Sequence, residues 1–365
     1  MTETVTCPFC SLHCTGLHLE WAGDRLSKLL PACDLAKRKY HQSIKMATLV
    51  RDTNDSFQSI HSIKAMLDNS RRLAVVLCSD LPQEVVPAAV DFCKKQSAFL
   101  VTDDEFTGNI LSLAVKEAGI LTASLGEFSG CTSQVICCGK DILQTLPRLD
   151  EFLPVLGSGQ VQYLLDDSPL TTLQNLRLET RTQSTSPAHK HGLVLFDRTW
   201  LQEDLHITSE LLAWLADLNR GQRWYGLFAP PAANSLGICN ALLSSAGYPG
   251  SMHLSSTGTE YNPRQYQLHQ LLQNGWIDSC IIAGSPDLLS ASLKKDLEKV
   301  TTILLSPEPA DWEPTLYLSV ARAGVDCQGT MQRLDFVPLS LHPLLKTGRL
   351  TIEEIFNTLT VGGAV

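Results

Sequence analysis

Short, almost wholly apolar runs alternate with amphipathic stretches through most of this chain, and this alternation is what most constrains its fold. "RLAVVLCSD", "SAFLVTDD", "SQVICCGKD", "GLVLFD" and "DSCIIAGSPD" have the length of strands, and helical spacing fills the intervals between them. Strands buried on both faces read as continuous apolar runs, and a strand–helix–strand order joins parallel strands. The pattern therefore predicts an α/β fold whose parallel sheets are covered by helices on both faces.

The length and composition predict several domains. A chain of 365 residues with 44% hydrophobic side chains exceeds one ordinary core. The polar stretch "ETRTQSTSPAHKHG" interrupts the alternation and predicts a linker or exposed loop. We expect an N-terminal cysteine-bearing domain at 1–50, a first α/β domain at 51–185, a second at 186–345 and a C-terminal helix at 346–365. Within the first, "LHLEWAGDRLSKLL" predicts a hairpin and "CDLAKRKYHQSI" a short helix with a basic face.

Four cysteines near the N-terminus form the strongest chemical motif. Cys7, Cys10 and Cys14 are spaced C-x2-C-x3-C, and Cys33 follows in a separate segment. This spacing suits a four-cysteine iron–sulfur cluster of the [4Fe-4S] type. A structural zinc site is the alternative, although zinc sites more often use two separated C-x2-C pairs. His13 could replace one thiolate, and the cysteines could also be free, inherited from a cluster-binding ancestor.

The remaining cysteines predict core packing rather than chemistry. Several lie inside apolar runs, where a reduced cysteine behaves as a small buried hydrophobe. They are Cys78, Cys93, Cys131, Cys137, Cys138, Cys239, Cys280 and Cys327.

A weaker feature is the acidic turn "VTDDEFTGNIL", which follows a predicted parallel strand. Ligand sites in open α/β sheets gather at the carboxyl ends of strands, so Asp103, Asp104 and Glu105 could be acid–base groups or metal ligands. Helix capping by acidic residues is the simpler interpretation. The loop "APPAANSLG" lacks G-x-G-x-x-G spacing, and we find no P-loop, H-E-x-x-H or G-x-S-x-G.

Charge and targeting signals narrow the class of protein. The net charge of −9 argues against broad binding to nucleic acids or anionic membranes. No run approaches the roughly 18 apolar residues of a membrane-spanning helix. The start "MTETVTCPFC" lacks the basic and apolar regions of a secretory signal. We therefore expect a cytoplasmic protein with reduced cysteines.

Several sequence blocks, taken in order, resemble a known family. The cysteine pattern is similar to the N-terminal cluster domain of molybdopterin oxidoreductases. Later blocks resemble those of the B subunit of formylmethanofuran dehydrogenase and its bacterial relatives, from residue 7 to about 341. These blocks are "AGILTASLGEFSGCTSQVICCGKDILQTLPR", "GYPGSMHLSSTGTEYNP", "LLQNGWIDSCIIAGSPD" and "VARAGVDCQGTMQRLDFVPLSL". The resemblance implies the fold of a truncated molybdopterin oxidoreductase.

One loop departs from the family pattern. The resemblance implies that the dehydrogenase holds a four-iron cluster and a pterin-bound tungsten or molybdenum ion, with a cysteine or selenocysteine on that ion. In "DEFTGNI", setting Gly108 on the family glycine places Phe106 where this ligand belongs and Thr107 on the family histidine. A phenyl ring cannot donate a lone pair to a metal. We therefore assign no catalytic residue, expect molybdopterin or tungstopterin to be absent, and expect Phe106 to be buried in its place.

In this departure the chain resembles the bacterial branch of the family. In that branch four subunits, A to D, form a formyltransferase/hydrolase complex. That complex takes formyl-tetrahydromethanopterin to formate through a methanofuran-like carrier, with the transferase in its D component and the hydrolase in its A component. The resemblance implies a non-catalytic B component in tetrahydromethanopterin-linked C1 (formaldehyde) oxidation, with the A, C and D components as partners. Two alternatives stay open: an active dehydrogenase subunit with pterin-bound tungsten or molybdenum, and a stand-alone iron–sulfur protein.

Overall fold

A computed structural model describes residues 3–23, 25–49, 54–139, 142–153, 161–182 and 191–361. The strands are β1 (Glu3–Val5), β2 (Leu17–Ala22), β3 (Arg25–Leu30), β4 (Leu73–Leu77), β5 (Ala98–Thr102), β6 (Thr132–Cys138), β7 (Val161–Leu164), β8 (His191–Phe196), β9 (Trp224–Phe228), β10 (Met252–Ser255), β11 (Gly258–Tyr261), β12 (Ser279–Ala283), β13 (Thr301–Ser306), β14 (Leu316–Ser319), β15 (Gly329–Gln332) and β16 (Pro338–Leu341).

Helices occupy most of the intervals between these strands. They are α1 (Asp34–Leu49), α2 (Asn54–Asp68), α3 (Val85–Gln96), α4 (Ser112–Ala118), α5 (Leu125–Cys131), α6 (Ile142–Thr145), α7 (Leu149–Phe152), α8 (Pro169–Thr182), α9 (Leu205–Leu218), α10 (Ser235–Ala246), α11 (Leu268–Gln273), α12 (Ala291–Leu297) and α13 (Ile352–Val361). A π-helical segment, Phe106–Leu111, leads into α4. No helix in the described parts of the chain is long and apolar enough to cross a membrane.

The N-terminal unit is a small antiparallel sheet followed by one helix. β1, β2 and β3 pair in that order, and the predicted hairpin corresponds to β2 and β3. Leu17 and Leu19 are buried while Glu20 is exposed, as the alternation along β2 requires. The predicted basic helix is α1, which buries Tyr40 and Ile44 against this sheet and leaves Lys45 exposed. The unit is therefore an amphipathic hairpin closed by an amphipathic helix.

Two larger sheets confirm the α/β fold class. One has the strand order β11-β10-β5-β4-β12-β13-β14, and the other the order β7-β6-β8-β9. All neighbours in the four-stranded sheet are parallel. In the seven-stranded sheet the neighbours from β5 to β14 are parallel, and β10 is antiparallel to both β5 and β11 at one edge. The short connection at 256–257 between β10 and β11 permits only antiparallel pairing.

The two sheets divide the chain differently from the expected boundaries. β7 and β8 lie on either side of residue 185, yet both flank β6 in the four-stranded sheet. The seven-stranded sheet combines β4 and β5 with β10 to β14, so the four-stranded sheet is inserted between its two parts. Alternation along the sequence identifies strands but does not say which strand pairs with which, because pairing follows contacts between distant segments. Part of the predicted linker, 183–190, lies outside the described residues.

Helices and loops cover both faces of each sheet, as expected. In β6, Val135 and Cys137 face the N-terminal unit, while Ile136 and Cys138 face the core that includes α9. The seven-stranded sheet likewise has two apolar cores, one on each face. Six of the remaining cysteines are buried as predicted, namely Cys78, Cys93, Cys137, Cys138, Cys239 and Cys280, whereas Cys327 is only partly buried. The side chain of Cys131 lies outside the description.

Candidate functional site: the cysteine loop, the Phe106 loop and the crevice between them

The first cysteines lie on a tight loop that backbone hydrogen bonds close. The Cys7 N–H donates to the Cys14 carbonyl at 2.9 Å, and the His13 N–H donates to the Cys10 carbonyl at 3.0 Å. His13 takes a positive φ of 41°, which the reversal of the chain inside the loop requires. Cys33 approaches from the start of α1, where its sulfur accepts the Ala36 N–H at 3.5 Å. Three cysteines on one loop and a fourth from another segment thus belong to the same apolar cluster.

The four thiols lie in one apolar cluster and influence one another electrostatically. Burial, followed by the charge of Cys10, raises the pKa of Cys7 well above its usual value. Burial also raises the pKa of Cys10 to about 12, with Cys14 and Cys33 adding to the shift and the backbone N–H of Leu12 opposing it. Thiols in such surroundings hold their protons until a cation compensates the buried charge.

The donor set suits a four-thiolate metal group in its chemistry, whereas its placement in this structure does not form a metal site. A metal would displace the protons and supply the missing positive charge, and backbone N–H groups near Cys7 and Cys10 stabilise thiolates in the same way. Within the described ranges, no group of three or more histidine, cysteine, aspartate or glutamate side chains is arranged so that it could hold a metal ion. If the site binds a cluster, the ligands would be Cys7, Cys10, Cys14 and Cys33.

The His13 side chain is buried and bonded to the backbone of the cysteine loop. Its Nδ1 lies 3.0 Å from the Cys7 carbonyl, and its ring is fully buried. Burial lowers the pKa of the imidazole, so the neutral ring is the stable form. The side chain therefore packs beneath the loop, and its Nδ1 is occupied by the backbone.

Phe106 is buried, as expected. It is 2% exposed and opens the π-helical segment, which follows β5 after the three acidic residues Asp103, Asp104 and Glu105. Its ring centroid lies 5.7 Å from that of Phe228, and both belong to the core beneath α9. An aromatic side chain buried among other apolar groups contributes packing, and it offers no donor atom to a metal.

The acidic residues before Phe106 brace the backbone. The Asp103 carboxylate accepts hydrogen bonds from the Ser79 N–H at 2.6 Å and the Ser79 hydroxyl at 2.7 Å. Asp104 accepts the Thr107 N–H at 3.1 Å and so caps the π-helical segment. Glu105 accepts the Leu268 N–H at 3.2 Å at the start of α11. These contacts favour the capping interpretation over acid–base chemistry.

Two of these carboxyl groups nevertheless titrate far from their usual range. Burial, reinforced by Asp104, raises the pKa of Asp103 to about 7, although Ser79 opposes the shift. Burial likewise raises the pKa of Glu105 to about 7, against the Leu268 hydrogen bond. Asp103 and Glu105, which lie just before Phe106, therefore carry protons in mildly acidic solution.

A second loop covers the π-helical segment. A Cβ on Gly108 would lie 3.1 Å from the Pro249 carbonyl oxygen, so the two backbones are in close contact. The Asn109 side chain donates to the Ser251 hydroxyl at 2.9 Å and accepts from the Tyr261 hydroxyl at 3.2 Å. Protein groups thus hold the outer side of the Phe106 loop.

The crevice at the centre of the seven-stranded sheet is closed by the chain itself. From β4 the chain continues to β5 on one side, whereas β12 and β13 lie on the other, which makes the β4–β12 boundary the switch point where such sheets bind ligands. There, Asp80 accepts the Ser285 N–H at 3.1 Å, and the Arg322 guanidinium donates to the Ser285 hydroxyl at 3.0 Å. A Cβ on Gly284 would lie 2.5 Å from the Cβ of Cys78.

This closure extends to the N-terminal unit. Arg322 lies 3.4 Å from Glu308, and Glu308 lies 3.3 Å from Lys39 on α1. The Arg322 guanidinium carbon also lies 5.8 Å from the ring centroid of Phe9, which stands between Cys7 and Cys10. Sequence reasoning missed this network. Its signal was polar residues shortly after three apolar strands, but Asp80 lies 205 residues from Ser285 and 242 residues from Arg322 in the sequence.

The fold resembles a solved chain over most of its length. That chain belongs to the crystal structure of the formyltransferase/hydrolase complex (FhcABCD) from Methylorubrum extorquens in complex with methylofuran. The TM-score is 0.69 at 14% sequence identity, and the likeness covers 84% of this chain and 95% of that chain. The likeness confirms the fold expected from the sequence blocks.

A sequence comparison adds a partial match. A segment is 28% identical over 132 residues to the B subunit of the tungsten-containing formylmethanofuran dehydrogenase 2 from Methanocaldococcus jannaschii. The match spans 34% of this chain and 30% of the length of that relative. No family model matches the chain. Both matches agree with the family resemblance predicted from the sequence blocks.

Proposed function

We propose that this chain is a non-catalytic, cytoplasmic subunit of a formyltransferase/hydrolase complex in tetrahydromethanopterin-linked C1 metabolism. In this assignment it corresponds to the B component and assembles with the A, C and D components. The complex takes formyl-tetrahydromethanopterin to formate through a methanofuran-like carrier, and the transfer and hydrolysis steps belong to the partner polypeptides. The fold likeness over 84% of the chain supports membership of such a complex.

The burial of Phe106 carries the non-catalytic part of the proposal. By resemblance, this residue stands at the position of the cysteine or selenocysteine that binds the pterin-held metal. Its ring is 2% exposed and packs near Phe228, so the position contains an apolar side chain within a core. A pterin-bound tungsten or molybdenum ion would find no ligand here, and the residues do not fit that group.

The closed switch point supports the same conclusion. Asp80, Ser285 and Arg322 fill the crevice at the carboxyl ends of β4 and β12 with hydrogen bonds between themselves. A ligand entering there would have to separate Asp80 from Arg322 and leave buried charges without their partners. The crevice is therefore built as an internal joint between the sheet and the N-terminal unit.

We propose further that Cys7, Cys10, Cys14 and Cys33 hold an iron–sulfur cluster with a structural role. The cluster would supply cross-links between the loop and α1, in a unit whose own apolar core is small. The backbone N–H groups near the Cys7 and Cys10 sulfurs and the mutual influence of the four thiols support this assignment. Zinc in the same site is the competing outcome.

Purification with the natural partners tests the proposal. An affinity tag on this chain should recover the A, C and D components in fixed proportion from the native host, and tungsten and molybdenum should be absent from the eluate. Recovery of the chain with bound pterin and tungsten or molybdenum would instead identify a dehydrogenase subunit. Recovery of the chain alone, with iron and sulfide, would identify a stand-alone iron–sulfur protein.

A further inference from the structure

The exposed face of α1 carries a line of basic side chains in a protein that is acidic as a whole. The chain has a net charge of −9, whereas α1 contains several lysines and arginines and a single acidic residue. Tyr40 and Ile44 are buried on the inner side of the helix. Spacings of three and four residues place the exposed basic residues on the opposite side. These residues, called the α1 stripe below, are Lys37, Arg38, His41 and Lys45.

Two cations of the α1 stripe have no ionic partner in the described part of the chain. Lys37 forms an ion pair with Asp34 at 3.2 Å, and both side chains are exposed. Arg38 and Lys45 are exposed, and neither forms an ion pair with a residue that the structure describes. Asp34 is the one acidic residue of the helix, whereas a helix face that is merely solvated usually mixes charges of both signs. The charge of the stripe therefore remains available to another molecule.

The stripe does not serve the stability of its own helix. Lys37 and Arg38 lie near the N-terminal end of α1, where the helix dipole favours acidic side chains and disfavours cations. The last turn, where the dipole favours cations, contains no basic residue. Because the basic residues are absent where the dipole would favour them, their distribution indicates recognition rather than folding.

Contacts on the inner side of α1 hold the stripe in a fixed direction. Lys39 pairs with Asp287 at 3.2 Å and with Glu308 at 3.3 Å. Tyr40 is fully buried, and its hydroxyl donates to the Thr6 carbonyl at 3.3 Å. A charged surface on a helix that is already fixed loses little conformational freedom when a partner binds.

We propose that the α1 stripe docks an acidic segment of a partner polypeptide in the complex. This inference rests on the proposed membership of a formyltransferase/hydrolase complex. Arg38 and Lys45 are about 10 Å apart along the helix axis, which matches two carboxylates seven residues apart on a partner helix. Leu49 ends the same face, and its 67% exposed side chain adds an apolar contact for that partner. A nucleic acid, the other common polyanion, would be repelled by the net charge of −9.

Reversing the charge of the stripe tests the proposal. The full chain with Arg38→Glu and Lys45→Glu is mixed with the A, C and D components, and the dissociation constant is measured at several salt concentrations. We expect it to rise about 10- to 100-fold at low salt, because attraction becomes repulsion. Added salt should weaken assembly of the wild type and weaken that of the variant less. The matched control, Lys116→Glu with Lys346→Glu, changes the net charge equally at exposed positions outside α1 and should assemble like the wild type.

A cross-link and an unfolding measurement complete the test. A carbodiimide joins a lysine amine directly to a carboxylate in contact with it, so Lys45 in the assembled complex should become linked to an acidic residue of a partner component. The isolated double variant should unfold within about 2 °C of the wild type, since exposed substitutions change stability little. Weaker assembly would then reflect a lost contact and not a lost fold.

The outcomes separate this inference from the proposed function. Wild-type chain that does not assemble with the A, C and D components overturns the proposed function and the docking role with it. A double variant that assembles as tightly as the wild type, or a Lys45 that acquires no link to a partner component, overturns the docking role alone. Equal weakening in the control variant would contradict it too, because net charge and not position would then matter. Loss of binding to polyuridylic acid in the double variant, with assembly intact, would assign the stripe to nucleic acid instead.

Discussion

The ring centroid of Phe106 lies 5.7 Å from that of Phe228, and this contact packs the loop after β5 against the end of β9. Phe228 is the last residue of β9 in the four-stranded sheet, whereas Phe106 follows a strand of the seven-stranded sheet. The contact therefore joins the two sheets at the loop that resembles a metal-binding loop. Phe106 is therefore part of the contact between the two sheets.

Truncating Phe106 should destabilise the protein. Phe106→Ala removes a buried ring from a packed core and should lower the free energy of unfolding by about 3–5 kcal/mol. The matched control is Phe336→Ala, since Phe336 is 40% exposed and should change stability by about 0.5 kcal/mol or less. Denaturant unfolding measures both. Equal losses in the two variants would show that the Phe106 ring does not form a joint.

Stability should fall as the pH rises towards 7. The folded-state pKa values of Asp103 and Glu105 are raised to about 7 from ordinary values near 4. Between pH 4 and 7 the folded state therefore binds more protons than the unfolded state. Their contribution is complete below pH 4 and is lost as the pH passes through 7, with a slope of up to about 1.4 kcal/mol per pH unit for each group.

The groups around Asp103 set its pKa, and substituting Asp103 tests this pH dependence of stability. Asp104 and Asp80 both raise its pKa, whereas the Ser79 hydroxyl and N–H lower it. Asp103→Asn should reduce the slope between pH 5 and 7, and Asp91→Asn, which alters an exposed carboxylate, should leave it unchanged. Thermal unfolding across this pH range gives the answer. An unchanged slope in Asp103→Asn would exclude titration of Asp103 in this range.

Breaking the ion network should loosen the N-terminal unit. Arg322→Met leaves Asp80 and Glu308 without their buried partner and should cost about 3–5 kcal/mol. Lys28→Met removes one partner of an exposed pair with Glu20 and should cost about 1 kcal/mol or less. Amide hydrogen exchange should accelerate in the cysteine loop of Arg322→Met and stay unchanged in Lys28→Met. Unaltered exchange in both would mean that the network does not hold the unit.

Loss of one cysteine ligand should release the metal. Cys33→Ser removes the proposed ligand next to α1 and should reduce bound iron to near background while exposing the loop to proteases. Cys327→Ser changes a partly buried cysteine outside the N-terminal unit and should leave the iron content as in the wild type. Iron and sulfide assays on anaerobically purified protein distinguish the two. Iron retained in full by Cys33→Ser would remove this residue from the ligand set.

The sequence predicted local structure better than it predicted assembly. Apolar runs such as the one that became β12 identified strands because burial on both faces leaves a continuous signature. The burial of Phe106 was also predicted, from its position in the loop that aligns with the metal-binding loop of the family. Which strands form each sheet could not be predicted, because the alternation of apolar runs contains no information on strand pairing. The Asp80–Ser285–Arg322 closure was equally hidden, since it depends on where distant strands end.

The proposed role of this chain in a formyltransferase/hydrolase complex is tested most directly by whether the activity of that complex depends on tungsten and molybdenum. The assembled complex should be produced by cells grown without tungstate and molybdate, and its conversion of formyl-tetrahydromethanopterin to formate should be measured. We predict full activity, with neither metal and no pterin in the purified complex. Activity that disappears without these metals and returns when either is supplied would contradict the account, because it would place redox chemistry on this chain.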